Sequence, residues 1–331
     1  MDINKNMLRE SAEKLPPITD AMWAEVCDEN RKLAEEFLDE NKQLSVKTLE
    51  QYRSAIKQWF YWVCKHLGNK GFNKITKREF MKFMNYQQER GLSSASINFR
   101  KSCISSFNNW IELIVAESDE QYKSFKNFTR GLPSVAKNKV YDKVAISKEE
   151  YDIVINYLTE KNNYLGLAWV ATAFNVGARR AELIQFKTEI LDYPITDGKN
   201  YVMSHIVRGK GKSITGKTLQ YMINLEALKY MKLYVENRGY ESEYIFTTKY
   251  GNNVSQISIA WANEFCTRVL SPLLGRRINV HLFKGSCVTN LLEAGVEMKL
   301  VSKYVAHHES IETTSNFYDL RDLTAERDNI F

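Results

Sequence analysis

The chain has 331 residues, enough for two domains that each bury a core, and its 44% hydrophobic and 26% charged content is that of an ordinary soluble globular protein. A formal charge of +6 and a pI near 8.8 permit a nucleic-acid partner without demanding one. Five scattered cysteines (Cys27, Cys64, Cys103, Cys266, Cys287) fit neither a disulfide framework nor a zinc spacing, the amino terminus lacks an apolar signal core, and no apolar run approaches a membrane span, so a cytoplasmic protein with reduced thiols is expected.

The first 130 residues read as helix after helix. One helix is predicted from about residue 20 to 39. Ser45 can cap a second, whose apolar Leu49, Tyr52, Ile56, Trp59, Phe60 and Val63 recur three and four apart. Thr76-Lys77-Arg78-Glu79 is a capping box opening a third, with Phe80, Phe83 and Met84, stopped at Gly91. Ser93 or Ser94 opens a fourth, with Ile97, Ile104, Phe107, Trp110, Ile111 and Ile114 on one face, which completes a bundle. The opposite faces of two of these helices carry Lys47, Arg53 and Lys57, and Asn98, Arg100, Lys101 and Ser105. On charge alone that is a solvated helical surface. From Lys123 to Ile146 periodicity fades around Gly131 and Pro133 in a basic stretch, the mark of a linker.

Order restarts at the capping box Ser147-Lys148-Glu149-Glu150, with one helix to about Lys161 and an apolar one over residues 165–174 that stops near Gly177. In Gly177-Ala178-Arg179-Arg180-Ala181-Glu182-Leu183, an arginine with a carboxylate three residues on fits a surface ion pair. It equally fits a guanidinium fork for two phosphate oxygens. Residues 201–207 and 218–223 are rich in β-formers and flank Gly209-Lys210-Gly211-Lys212, a hairpin with a basic turn. Further helices are predicted from Leu225, about Val254, Phe283 and Val296. The second half is therefore α+β, and the chain mainly α with a small antiparallel sheet. His281 and Lys284 share a face of one helical turn, and three of the five histidines (His281, His307, His308) fall in this last stretch, ahead of Tyr318. A three-histidine zinc site is the rival chemistry, but adjacent histidines point apart on a helix, so no metal is expected.

In this order the residues closely resemble the tyrosine recombinases, the phage-integrase family. Residues 177–183 match its Gly-Leu-Arg-x-x-Glu-Leu almost letter for letter, with Arg179 on the catalytic position and Glu182 on its supporting acid. Gly209-Lys210-Gly211 matches its Gly-Lys-Gly hairpin, His281 to Lys284 its His-x-x-Arg, and residues 291–295 its Leu-Leu-x-x-Gly. His308 is followed by Tyr318 ten residues on, as in the family's Gly-His and nucleophilic tyrosine, within a stretch similar to its Thr-Thr-x-Asn-x-Tyr. A nine-residue spacing would fall on Phe317, which has no hydroxyl. The Thr-x-x-x-Tyr helix at Thr48 and Tyr52, and the Arg90-Gly91-Leu92-Ser93 before the fourth helix, are similar to the family's core-binding domain. Two departures stand out: Lys284 where the family has arginine, and His307 where it usually has glycine.

The resemblance implies a helical core-DNA-binding domain over residues 1–130, a linker over 131–146 and a catalytic domain over 147–331, forming a C-shaped clamp on duplex DNA. It implies site-specific strand exchange with neither metal nor other cofactor. Tyr318 attacks a backbone phosphate, forming a 3′-phosphotyrosyl bond and freeing a 5′-hydroxyl. Arg179, His281, Lys284 and His308 stabilise the phosphorane, and Lys210 protonates the leaving oxygen, with Lys212 its competitor. Lys47, Arg53, Lys57, Asn98, Arg100, Lys101 and Lys212 become DNA contacts. A homo-tetramer on two sites is implied, with exchange of a C-terminal segment that is short here, thirteen residues following Tyr318, and with no separate arm-binding domain ahead of Asp20. Three other readings stay open: a DNA-binding member disabled at Lys284, a type IB topoisomerase that relaxes any supercoiled DNA, and a plain helical interaction protein with no salt-sensitive DNA affinity.

Overall fold

The computed structural model describes residues 15–136, 143–195, 197–209 and 216–321, which fall into two compact units divided near residue 141. In the first, α1 (Asp20–Ala24) and α2 (Asp28–Glu40) stand where one helix was expected. The chain breaks between them because Asn69 supplies what a continuing helix would: its Oδ1 accepts from Cys27 N–H at 2.9 Å and its Nδ2 donates to the Glu25 carbonyl at 2.8 Å. α3 (Val46–His66), α4 (Lys77–Glu89) and α5 (Ser94–Trp110) follow, capped by Ser45, the Thr76–Glu79 box and Ser93. A π turn (Ile111–Val115) then leads into α6 (Ala116–Ser118). Its wider turn rotates the side chains after it, so Ile114, expected on the buried face, is exposed.

This core is aromatic. Trp59, Phe60, Phe72, Phe80 and Phe107 are fully buried, with Phe107 meeting Phe72 and Phe60 edge to face at 5.0 and 5.6 Å. The basic stretch expected to be linker from Lys123 onward is instead tied to the bundle as far as Val135. Phe125 and Phe128 are buried in the core, Asn127 donates to Asn109 Oδ1 at 2.7 Å, and Lys77 holds the Arg130 carbonyl at 2.7 Å. Tyr122, Phe125 and Phe128 recur every three residues, but the chain there is a 3₁₀ turn followed by turns and loop, with no α-helix to give the stretch a helical pattern of its own.

In the second unit α7 (Lys148–Glu160) and α8 (Tyr164–Val176) form as expected, the latter buried almost all round. The short α9 (Arg180–Leu183) follows. β1 (Tyr201–Met203) pairs with β4 (Met222–Asn224), and β2 (Val207–Gly209) with β3 (Lys217–Leu219), all antiparallel. The expected hairpin is thus two short ladders, because the Ser204 hydroxyl accepts the Tyr221 N–H at 2.9 Å in place of a ladder carbonyl. α10 (Leu225–Asn237) packs on α8. The helix expected from about Val254 is a strand: β5 (Thr247–Tyr250) and β6 (Asn253–Gln256) form a hairpin across Gly251, whose φ of +57° suits the turn. Helix resumes only at the Ser258 cap with α11 (Ile259–Phe265), then a π turn and α12 (Ser271–Leu274). α13 (Val280–Glu293) begins at the Asn279 cap, ahead of the expected Phe283. α14 (Met298–Leu300), a π turn (Val301–Val305) and α15 (Ile311–Phe317) complete the unit around buried Trp169, Phe186, Tyr221 and Phe246. The fold is mainly α with three two-stranded antiparallel sheets among the described residues. None of the described helices is long and apolar enough to cross a membrane.

Candidate active site

Gly177 closes α8 in the left-handed region at φ +66°, where an added Cβ would press within 3.0 Å of Val305 and 3.1 Å of Cys287. The turn it makes places Arg179 at the N-cap of α9. The Arg179 main-chain N–H donates to Glu182 Oε2 at 2.7 Å and its Nη1 to Oε1 at 3.2 Å. Glu182 is 1% exposed and also accepts the Tyr221 hydroxyl at 2.5 Å. A Cβ on Gly209, at the end of β2, would stand 3.2 Å from Glu182 Oε1, so a small residue there keeps the carboxylate's pocket open. Burial works against the Arg179 charge, but Glu182, Tyr318 and Tyr221 outweigh it and raise its pKa. Arg180 turns elsewhere, to Asn263 Oδ1 at 2.8 Å.

α13 brings in Lys284, buried at 3% exposure, whose Nζ donates to the Ala306 carbonyl at 2.8 Å and lies 5.8 Å from the centroid of the Tyr318 ring. Burial first, then the Arg179 charge, bring its pKa down to about 7 against the opposing pull of Glu182 and Cys287. His281, one turn earlier, lies at the surface. Partial burial of its ring, then Arg180, Arg179 and Lys143, hold its imidazole below the usual histidine value.

The π turn and α15 bring in the rest. His308 Nδ1 and Thr314 Oγ1 are 2.8 Å apart, and Thr314 in turn donates to Ser302 Oγ at 2.9 Å. The bond to His308 therefore draws its proton from Nδ1, which leaves Nε2 as the lone-pair nitrogen; that atom is buried with no partner among the described residues. Burial, followed by Lys284, Arg179, His307 and Lys217, pushes the His308 pKa down to about 4. Its ring lies 4.5 Å from that of Tyr318. Tyr318 ends α15 and is anchored by its main chain, the carbonyl accepting from Thr289 Oγ1 at 3.2 Å. Phe317 beside it is 56% exposed.

Arg179, Glu182, Lys284, His308 and Tyr318 thus gather at one place, with His281 near the arginines. Lys210 and Lys212 lie outside the described residues. In the first unit Lys47 pairs with Glu50 at 3.1 Å on an exposed face, Arg53 is exposed, and Lys57 sits over the Trp23 ring at 5.1 Å. Asn98, Arg100 and Lys101 are engaged within the chain. Asn98 exchanges two 2.9 Å bonds with the Val135 main chain, Arg100 donates to Gln87 Oε1 at 2.7 Å, and Lys101 donates to the Leu132 carbonyl. No metal-holding cluster occurs among the described residues, and His307 and His308 sit after a π turn, not side by side on the helix expected there. Tyr221, Ser302 and Thr289 were not singled out from sequence. Only Thr314 carried a signal, as part of the Thr-Thr stretch.

Residues 145–323 match the phage integrase family, and residues 35–112 the phage integrase N-terminal SAM-like domain. The chain belongs to this family of tyrosine recombinases. It is 53% identical over 330 residues to the SPbeta prophage-derived recombinase-like protein YomM of Bacillus subtilis (strain 168), covering 99% of this chain and 98% of that protein. To tyrosine recombinase XerD of Oceanobacillus iheyensis it is 21% identical over 288 residues, 84% of this chain and 89% of that one. The Tn1549 transposon integrase in complex with circular intermediate DNA shares the fold at TM-score 0.66 and 14% identity, covering 91% of this chain and 99% of that one. A lambda integrase dimer bound to a COC′ core site does so at TM-score 0.64 and 18% identity, covering 88% and 95%.

Proposed function

We propose that this chain is a site-specific DNA recombinase that cuts and rejoins duplex DNA through a 3′-phosphotyrosyl intermediate. The observation that carries the reading is the placement of Tyr318, with its ring against the His308 ring at 4.5 Å and below the Lys284 ammonium at 5.8 Å, close enough to Arg179 to raise the arginine's pKa. A phenol needs such cationic neighbours to react near neutrality. Tyr318 Oη attacks phosphorus and its proton passes to His308 Nε2, the lone-pair nitrogen. The bond to the 5′ oxygen breaks, and that oxygen leaves as a hydroxyl with a proton from Lys210. Arg179, held by Glu182, takes two phosphate oxygens, while Lys284 and His281 add to the stabilisation of the phosphorane. A second 5′-hydroxyl reverses the step. The first unit supplies DNA contacts, foremost Lys47, Arg53 and Lys57; Asn98, Arg100 and Lys101 reach DNA only by giving up the bonds they make within the chain. Both solved relatives are DNA complexes, which supports duplex DNA as partner, with two sites held by a homo-tetramer.

One observation favours a second reading. Lys284 lacks the guanidinium fork and gives a donor to a main-chain carbonyl, as in a member that binds its site and cuts poorly. The test is an SDS-resistant protein–DNA adduct on nicked duplexes carrying a selected binding site. Adduct from the parent chain and none from Tyr318→Phe supports the recombinase. Adduct only after Lys284→Arg supports the impaired member. Tight binding with no adduct from any variant sinks the catalytic reading.

A further inference from the structure

His307 stands in the left-handed region at φ +52°, where a Cβ is disfavoured. A glycine there would relieve the backbone, yet the chain carries an imidazole. The ring meets Tyr221 edge to face, centroids 4.7 Å apart at 89°. Phe186 contacts the same Tyr221 ring at 6.1 Å, so two aromatic neighbours hold a phenol that is 1% exposed. That phenol donates to Glu182 Oε2, and Glu182 holds both the main chain and the guanidinium of Arg179. Burial, followed by Lys284, keeps the His307 pKa below its ordinary value against the opposing pull of Glu182. Strain kept at one residue beside a site is retained where its surroundings use it.

We propose that His307 is a positioning residue that acts through Tyr221 and Glu182 to hold the Arg179 guanidinium in its phosphate-binding orientation. Without the imidazole the Tyr221 ring gains room to tilt, its hydroxyl leaves Glu182, and the carboxylate no longer fixes both arginine groups. The catalytic importance of that orientation rests on the recombinase reading; the mechanical coupling does not, and the two are tested apart.

The experiment compares the parent, His307→Gly, Tyr221→Phe and the double variant. The first readout is the rate at which phenylglyoxal modifies Arg179, followed by peptide mass spectrometry. The second is adduct formation on the nicked duplex at saturating DNA. His307→Gly relieves the left-handed backbone, and a cooperative thermal melt of each variant establishes that the fold is kept before either readout is compared. Arg179 modification is expected to quicken several-fold in each single variant, and adduct formation to slow roughly 10- to 100-fold at unchanged DNA affinity. Because one residue acts through the other, the double variant is expected to match Tyr221→Phe alone. Unchanged Arg179 modification in His307→Gly, or single effects that multiply in the double variant, overturns the proposal. If the parent forms no adduct, the recombinase reading fails while the modification rates still decide the role of His307.

Discussion

A lysine buried to 3% exposure and brought to about 7 by burial and Arg179 has a definite consequence for stability. Its folded pKa lies below the unfolded value of 10.5. Between those values the folded chain therefore binds fewer protons than the unfolded chain, and the residue's contribution to stability grows as pH rises from about 7 toward 10.5. Below about 7 the charge is buried at full cost. Replacing Lys284 with Met is accordingly expected to raise Tm more at pH 6 than at pH 9, measured by thermal melts of both chains. Equal gains at both pH values would mean that the charge is not what burial opposes. On the proposed mechanism the same proton governs chemistry. Arginine stays charged where lysine does not, so the ratio of Lys284→Arg to parent adduct rates should climb as pH passes upward through about 7, and a flat ratio would contradict that role. The departure from arginine was legible in the sequence, but the burial was not. Residues three apart on a helix differ by about 60° around its axis, enough to put His281 at the surface and Lys284 inside when the boundary falls between them.

At the scale of elements, α15 acts by orienting its neighbours. Thr314 links His308 Nδ1 to Ser302 Oγ while fully buried. Thr314→Val keeps the shape and removes the hydroxyl, leaving two buried polar groups short of a partner, so it is expected to cost about 1–3 kcal/mol in denaturant melts. It should also slow adduct formation by freeing the imidazole. A stability within error of the parent would show that the chain of bonds carries nothing. Elements fixed by local chemistry were readable in advance: the Thr76–Glu79 and Ser147–Glu150 boxes cap α4 and α7. Elements fixed by distant partners were not. β6 exists because β5 pairs with it across Gly251, and the break in the hairpin comes from a Ser204 hydroxyl that accepts the Tyr221 N–H between β3 and β4. Glu182 was found through its spacing from Arg179, whereas Tyr221, which completes its shell, lies 39 residues further along and carries no local mark.

For the whole molecule, the relevant quantity is charge. A formal +6 spread over 331 residues gives no steep field, so affinity for DNA must come from particular cations and should fall with salt. Lys47→Ala and Arg53→Ala are each expected to weaken binding at any sequence and to reduce the slope of log K against log salt by about 1. Unchanged slopes would remove α3 from the proposed interface. On the proposed mechanism Tyr318 becomes joined to DNA. The direct measurement is to trap the complex on a nicked duplex, digest both components and locate the nucleotide by mass spectrometry. A 3′-nucleotide is expected on the peptide containing Tyr318 and nowhere else. A nucleotide on any other residue, or no covalent product from a chain that binds the site tightly, would contradict it.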